Sequence, residues 1–216
     1  KRCFRDSQSN IPKKIYRLVD FDSVSRSKAW DKTLASNAEQ YKQHKIDVNY
    51  LVKDLEVKHK RWHKAYTKIN PTYKQVKRDF IIYYNMLKYG GVYLDSNASA
   101  KSICKLIEPT DHLLLSMWHT PVSVGFLKNV PSTGDFQQWW FAISPQHIFL
   151  KVLLDAITYS IEIINLDIFP VGREAGLHLT GSDIFTATLK RLIEQNGMTK
   201  YRVVCPNGND IFKSED

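Results

Sequence analysis

The sequence predicts a mixed α/β domain whose ligand site lies at the end of one short buried strand. Gly90-Gly91 ends an amphipathic helix, the apolar triplet Val92-Tyr93-Leu94 follows as a strand, and Asp95 and Asn97 come directly after it. The helix is indicated by five apolar residues at spacings of 3, 4, 3 and 4, namely Tyr73, Val76, Phe80, Tyr83 and Leu87.

Length and composition favour one globular domain that covers residues 1–216. The chain is long for one domain and short for two, and its 43% hydrophobic and 12% aromatic residues can form a sizeable core. No apolar run approaches the ~20 residues that a membrane span needs. The first residue is Lys, so a targeting segment could have been removed.

The positive charge is concentrated in the first part of the chain. Residues 1–90 contain 21 Lys or Arg and 9 Asp or Glu, whereas the remaining residues contain 10 and 13. A basic half can bind nucleic acid, anionic membranes or phosphorylated small molecules, and it can also be a solvated lysine-rich surface. No nucleic-acid motif or base-stacking pattern is present, so no nucleic-acid partner is expected.

Cys3, Cys104 and Cys205 are far apart and lack metal-ligand spacing. A disulfide framework is therefore not expected, although a single bridge between Cys3 and Cys205 is an alternative. The cytoplasm is favoured over a secretory-pathway lumen.

The elements before the central helix alternate between strand and helix. Residues 13–21 are predicted to form the first strand, with a loop from Asp20 onward at its carboxyl end. A short helix at 25–34, a second strand within 46–51 and a basic helix at 52–68 follow. The central helix is expected to begin at Asn70-Pro71, since proline is favoured in a first helical turn.

The elements after Asn97 suggest antiparallel pairing. Strands are predicted at 102–107, 112–118, 122–127, 139–143 and 201–205. Helices are predicted at 146–160, capped by Ser144-Pro145, and at 183–195, capped by Ser182. Residues 166–181 contain three glycines and Pro170, so a long loop is expected there.

Asp95 and Asn97 are the candidate metal ligands. They point to the same side of an extended backbone, and oxygen ligands at a strand end can hold a hard cation and, through it, a phosphate. The alternative is an Asx turn in which both side chains bond nearby backbone. Asp79 lies beside the apolar stripe of the helix, where a carboxylate marks either the mouth of a site or an ion pair with a lysine. These residues suggest a metal-assisted enzyme that acts on a phosphorylated substrate.

Several other side chains have two interpretations. Trp139-Trp140 could stack on a sugar or base, but aromatic pairs in an apolar strand more often belong to the core. His178 and Ser182 could contact a diphosphate at a helix N-terminus, and Ser182 is more simply an N-cap. His147 is expected to be structural.

Five segments in this order resemble glycosyltransferase family 32, and the resemblance spans about residues 11–190. The segments are Ile11-Pro12-Lys13-Lys14-Ile15, Arg78-Asp79, the run from Lys88 to Asn97, the run from Trp140 to Leu150, and Thr180-Gly181-Ser182-Asp183. The run from Lys88 to Asn97 is the most specific of the five.

The resemblance implies a GT-A fold with a mixed central sheet. One half, about residues 11–100, would be Rossmann-like and bind the nucleotide sugar, and the other, about 101–205, would be the acceptor side. It implies a retaining enzyme that uses Mn²⁺ or Mg²⁺ and moves a hexosyl unit from a UDP- or GDP-sugar to a glycan or other hydroxyl acceptor. The implied catalytic residues are Asp95 and Asp79, and Asp79 would bind hydroxyls of the donor sugar. Asp95 and Asn97 would hold the metal. The implied donor-binding residues are Val19, Asp20, Phe21, Arg78, Asp79, Asp95, Ser96 and Asn97.

Two positions depart from the family pattern. Asn97 stands where a second aspartate is usual, so weaker metal binding is expected because an amide is neutral. Ile82 stands where an arginine is common. These departures leave a non-catalytic nucleotide-sugar or carbohydrate binding module as the alternative function. No carboxylate nucleophile is assignable, and Asp135 and Asp183 are the loop carboxylates considered for that role.

Overall fold

The computed structural model describes residues 9–18, 28–95, 98–117, 136–165, 173–198, 200–204 and 212–214. The strands are β1 Lys14–Arg17, β2 Lys42–Lys45, β3 Gly91–Leu94, β4 Ala98–Ala100, β5 Leu113–Ser116, β6 Trp140–Ile143, β7 Arg202–Val204 and β8 Phe212–Ser214. The helices are α1 Lys28–Asn37, α2 Val48–Lys58, α3 Lys60–Lys68, α4 Lys74–Tyr89, α5 Ile148–Ile163, α6 Arg173–Leu179 and α7 Ser182–Asn196.

The central sheet is mixed and has the strand order β2-β1-β3-β6-β5-β7. Strand β1 is parallel to β2 and β3, β6 is antiparallel to β3 and β5, and β7 is parallel to β5. Strands β4 and β8 form a separate antiparallel pair. The predicted α/β class and mixed central sheet are confirmed.

The two faces of the sheet are covered by different apolar clusters. Tyr93 and Phe141 face the larger cluster, which is built with α2, α3, α4, α5 and α7. Leu94 and Trp140 face the smaller one, which includes residues of β4 and of the turn after it. Trp140 is fully buried, so the core interpretation of that residue is confirmed. Among the described residues, no helix combines the length and the apolar character that a membrane crossing requires.

Helix α4 and strand β3 form the centre of this arrangement. The predicted apolar residues of α4 are buried, and every residue from 79 to 87 is buried as well, so the helix is covered on all sides there. Gly90 has φ 59°, and a Cβ at this position would lie 2.6 Å from the Pro145 nitrogen. The turn therefore requires glycine. The helix begins at Lys74, later than predicted, because Asn70 accepts a hydrogen bond from the Thr72 N–H in a preceding turn.

Two predictions before α4 are wrong. The second strand is the polar edge strand β2, which lacks the apolar pattern that marks a buried strand, and residues 46–51 instead lead into α2. Asp47 caps α2 by accepting from the Tyr50 N–H at 3.0 Å. The predicted helix at 52–68 is divided between α2 and α3 at His59, whose φ of −137° is not helical.

Four predictions after β3 are also wrong. Residues 102–107 contain a 3₁₀ turn, Ile103–Lys105, whose Ile103 N–H donates to Asn37 Oδ1. Helix α6 lies inside the predicted loop at 166–181. Helix α5 is capped by His147, not by Ser144-Pro145, and Gly181 occupies the N-cap of α7 in place of Ser182. The predicted strand at 122–127 lies outside the described residues.

Cys104 is disulfide-bonded. The alternative considered from the sequence is a bridge between Cys3 and Cys205. Both of the other cysteines lie outside the described residues.

Candidate active site

Helix α4 and the carboxyl end of β3 bring two of the predicted carboxylates into one region. Alternation along the extended backbone puts Tyr93 and Asp95 on the same side, and the Tyr93 hydroxyl donates to Asp95 Oδ1 at 3.2 Å. Arg78 Nη2 on α4 lies 3.9 Å from the same oxygen. The Asp95 N–H donates at 2.8 Å to the carbonyl of Trp139, the residue before β6, so this contact extends the pairing of β3 and β6 to Asp95.

Asp79 is a buried carboxylate with two side-chain donors. Gln75 Nε2, one turn earlier on α4, donates to Oδ1 at 2.6 Å, and the Thr180 hydroxyl donates to Oδ2 at 2.7 Å. Burial raises the pKa of Asp79 to about 7, the two hydrogen bonds act in the opposite direction, and the charge of Asp95 raises the pKa further. Asp79 therefore takes up a proton much more readily than an ordinary aspartate, and it is electrically coupled to Asp95.

Two buried tyrosines support these carboxylates. Burial, followed by the charge of Asp95, raises the pKa of Tyr93 well above its ordinary value, so its phenol stays protonated and donates. The Tyr83 oxygen lies 2.7 Å from the Thr180 carbonyl and 3.0 Å from Gln138 Oε1. Thr180 is thus held at its carbonyl by Tyr83 and at its hydroxyl by Asp79, which fixes the start of α7 against α4.

A cavity of about 430 Å³ opens beside Asp79. This volume falls in the range of small-molecule sites. Gln138 lies one residue before Trp139, the backbone partner of Asp95, so the cavity adjoins the carboxyl end of β3. Its lining consists of Thr72, Tyr73, Lys74, Gln75, Val76, Asp79, Gln138, Gly176 and Leu177.

Asp95 fits one ligand position of a hard divalent cation. Its carboxylate is 42% exposed and so can be reached by an ion or a phosphate. The described residues contain no group of three or more His, Cys, Asp or Glu side chains that could hold a metal by themselves.

Five of the predicted donor-binding residues lie outside the described part of the chain: Val19, Asp20, Phe21, Ser96 and Asn97. Asp135 lies outside it as well.

The two histidines considered from the sequence lie in different surroundings. His178 on α6 forms a 2.6 Å contact with Asp183 on α7, and both side chains are largely exposed. His147 accepts from the Phe149 N–H at the start of α5, and burial lowers its pKa to about 4. Because β6 is antiparallel to β3, His147 lies toward the opposite end of the sheet from Asp95, as expected for a structural residue.

Three polar residues around Asp79 were not singled out as site residues from the sequence: Gln75, Gln138 and the tyrosine at 83. Gln75 precedes Asp79 by four residues on a helix, a spacing at which side chains meet, so it was accessible to prediction. Gln138 and Thr180 both meet the Tyr83 hydroxyl, and they do so only through the tertiary fold.

Several solved structures are similar to this chain. PaToxG glycosyltransferase is similar in structure, with a TM-score of 0.51, 18% identity, and coverage of 87% of this chain and 71% of that one. A glycosyltransferase involved in the glycosylation of the major capsid of PBCV-1 gives a TM-score of 0.43 at 10% identity, covering 90% of this chain and 83% of that one. The UDP-bound glycosyltransferase domain from the YGT toxin gives 0.45 at 10% identity, covering 79% of this chain and 53% of that one.

These likenesses concern the fold, which is of the GT-A type, as the sequence predicted. No curated protein matches the sequence. Residues 3–111 match the family described as "Glycosyltransferase sugar-binding region containing DXD motif", and the match covers about half of the chain, including Asp79 and Asp95. The chain therefore belongs to the glycosyltransferase family whose sugar-binding region contains the DXD motif.

Proposed function

We propose that this protein moves a hexosyl unit from a UDP- or GDP-sugar to a glycan or other hydroxyl acceptor, with retention of configuration and with the help of Mn²⁺ or Mg²⁺. Membership of the DXD family supports sugar transfer. The observation that carries the proposal is the pairing of a buried carboxylate beside a cavity, Asp79, with an exposed one at the strand end, Asp95.

Asp79 is suited to bind hydroxyls of the donor sugar. Gln75 and Thr180 orient its two oxygens, and a carboxylate can accept further hydrogen bonds from ligand hydroxyls that enter the cavity. A site that is built to hydrogen-bond a hydroxyl rejects analogues that lack it, because the buried partner would be left unpaired.

Asp95 is suited to the diphosphate end of the donor. It would hold the ribose and, together with Asn97, the divalent ion, while Tyr93 and Arg78 orient its carboxylate. The ion, when bound, supplies positive charge to the departing diphosphate. Val19, Asp20, Phe21 and Ser96 complete the proposed donor site.

The transfer breaks the bond between the anomeric carbon and the oxygen of the distal phosphate. A new bond forms between the acceptor oxygen and the same face of the anomeric carbon, and the acceptor proton passes to the departing phosphate oxygen. Negative charge grows on the diphosphate, where the nearby Arg78 guanidinium stabilises it. Asp79 holds the sugar still while this happens, which reduces the entropic cost of attack.

The test is release of nucleoside diphosphate from a panel of UDP- and GDP-hexoses in the presence of Mn²⁺, Mg²⁺ or EDTA. We expect one donor to be consumed with a divalent ion and not with EDTA. Asp95→Ala should lower the rate at least ~100-fold, since it removes a group that acts on the developing charge. Glu56→Ala, which removes an exposed carboxylate on α2, is the control and should keep the rate.

Calorimetry on the same panel separates the alternatives. Tight binding of a nucleotide sugar that Mn²⁺ leaves unchanged, with no turnover, would identify a non-catalytic binding module, the function that Asn97 and Ile82 favour. Full activity of Asp95→Ala would show that the site is misplaced.

A further inference from the structure

The outer face of α5 carries an apolar stripe that lies outside the lining of the candidate site. Ile148, Tyr159 and Ile163 are separated by 11 and 4 residues, so they lie on one side of the helix over about 22 Å. Val152, between them, is partly buried and packs against the larger core cluster. Ile148 is 50%, Tyr159 57% and Ile163 63% exposed. Single exposed apolar residues are common, but an aligned set on one helix is a patch that calls for a partner.

A basic helix lies directly beside this stripe. Helix α3 contains Lys60, Arg61, Lys64 and Lys68 and no acidic residue. Arg61 forms two hydrogen bonds with Glu162 on α5, at 3.0 and 2.8 Å, and Lys68 Nζ donates to the Ile161 carbonyl at 3.0 Å. These contacts fix the basic helix against α5 at the end where Tyr159 and Ile163 emerge.

The charge of the pair is strongly positive. Together α3 and α5 carry five Lys or Arg against two Asp or Glu. The two carboxylates are engaged within the pair, since Asp155 accepts from Trp62 Nε1 at 2.7 Å and Glu162 accepts from Arg61. Lys60 and Lys64 remain exposed to solvent.

We propose that the face formed by α3 and the outer side of α5 docks on an anionic lipid surface. Apolar side chains next to a row of lysines and arginines are the pattern of helices that lie in a membrane interface, where burial of apolar area and attraction to acidic headgroups act together. A second copy of this chain would face the same positive charge, which opposes self-association. The inference does not depend on the proposed transferase activity.

Vesicle flotation tests the proposal, with vesicles of phosphatidylcholine alone or mixed with phosphatidylserine. We expect binding only to the mixed vesicles and weaker binding as salt rises, because the headgroup attraction is screened. Lys60→Glu with Lys64→Glu should weaken binding at least ~10-fold, and Tyr159→Ser with Ile163→Ser should do the same, since each pair removes one of the two contributions.

Two matched variants serve as controls. Lys42→Glu with Lys45→Glu changes the net charge equally on the exposed edge strand β2, and Val57→Ser removes a side chain that is 76% exposed on α2. Both should bind like the unmodified chain, and all variants should keep its circular dichroism spectrum.

No binding to phosphatidylserine vesicles at low salt would overturn the proposal. Equal losses of vesicle binding in the variants of α3 and α5 and in the controls would overturn it too, because the net charge of the whole chain would then explain the binding. A dimer in sedimentation that Tyr159→Ser with Ile163→Ser dissociates, without vesicle binding, would assign the face to self-association instead.

Discussion

Replacement of Asp79 by asparagine should separate the stability of this protein from its activity. The variant keeps the shape of the side chain and removes its charge. The new amide can still meet the Thr180 hydroxyl and the Gln75 amide after both reorient. We therefore expect the fold to be kept, while sugar transfer falls because the site loses its charged acceptor for donor hydroxyls.

The magnitude follows from the pKa of Asp79, which rises from 3.8 to about 7 on folding. At about 1.36 kcal/mol for each pH unit, ionised Asp79 costs the folded state about 4 kcal/mol relative to the protonated form. Between these two pKa values the folded state binds more protons than the unfolded state. The contribution of Asp79 to stability is therefore fully present below pH 3.8 and is lost as the pH rises toward 7.

Urea unfolding of both proteins at several pH values measures this effect. The free energy of unfolding of Asp79→Asn minus that of the unmodified chain should rise with pH by about 1.4 kcal/mol per unit between about pH 4 and 7, and then level off. A difference that is flat across this range would refute the reasoning, since it would mean that Asp79 ionises as easily when folded as when unfolded.

Asp54 provides a control of opposite sign. Its burial alone would raise its pKa, but hydrogen bonds from Lys88, Tyr84 and Lys58 outweigh burial and lower it. A lowered pKa contributes stability above the unfolded value, and that stability is lost as the pH falls. Asp54→Asn should therefore be less stable than the unmodified chain at neutral pH, and the difference should shrink in acid.

Three further outcomes are expected. Thr180→Val removes the hydroxyl donor to Asp79 Oδ2. It should lower the free energy of unfolding by about 1–3 kcal/mol at alkaline pH and by less at acid pH, where Asp79 is protonated. An equal loss at both pH values would contradict a hydrogen bond to a charged group. Gly90→Ala should lower the free energy of unfolding in urea by about 2–4 kcal/mol, because the φ of 59° and the 2.6 Å approach to Pro145 both oppose a Cβ. A smaller loss would mean that the backbone of this turn differs from the one described. Under oxidising conditions, Cys104→Ser should be less stable than the unmodified chain by about 2–4 kcal/mol, because it lacks the disulfide. Under reducing conditions, the variant and the unmodified chain should be equally stable. A loss of stability under both conditions would point to packing at Cys104 instead of the disulfide.

The central part of the fold was predictable because its signals are local. The apolar spacing that predicts α4 lies within this one helix and does not depend on the rest of the fold. The glycine at 90 is required by a backbone angle that other residues avoid. Strand β6 was predictable for the same reason, since four consecutive buried residues produce an uninterrupted apolar run.

The errors arose where tertiary contacts replace local pattern. Strand β2 reads KQHK and pairs with β1 at the edge of the sheet, so its sequence carries no sign of burial. The partners of Asp79 also depend on tertiary contacts, since Thr180 lies 101 residues away along the chain. Gly176 and Leu177 complete the cavity from α6, a helix that was not predicted because the glycines of that segment indicated a loop.

Asp79 itself was noticeable from the sequence because it breaks a local rule. A carboxylate among the buried residues of α4 lowers the stability of the fold, and natural chains tolerate such conflicts mainly at functional sites. The structure shows how the conflict is limited: two donors bond the carboxylate, and its raised pKa lets it take up a proton. Neutral replacements of Asp79 should therefore stabilise the chain at alkaline pH and lower its transferase activity. Both effects should follow from the loss of one negative charge at this position.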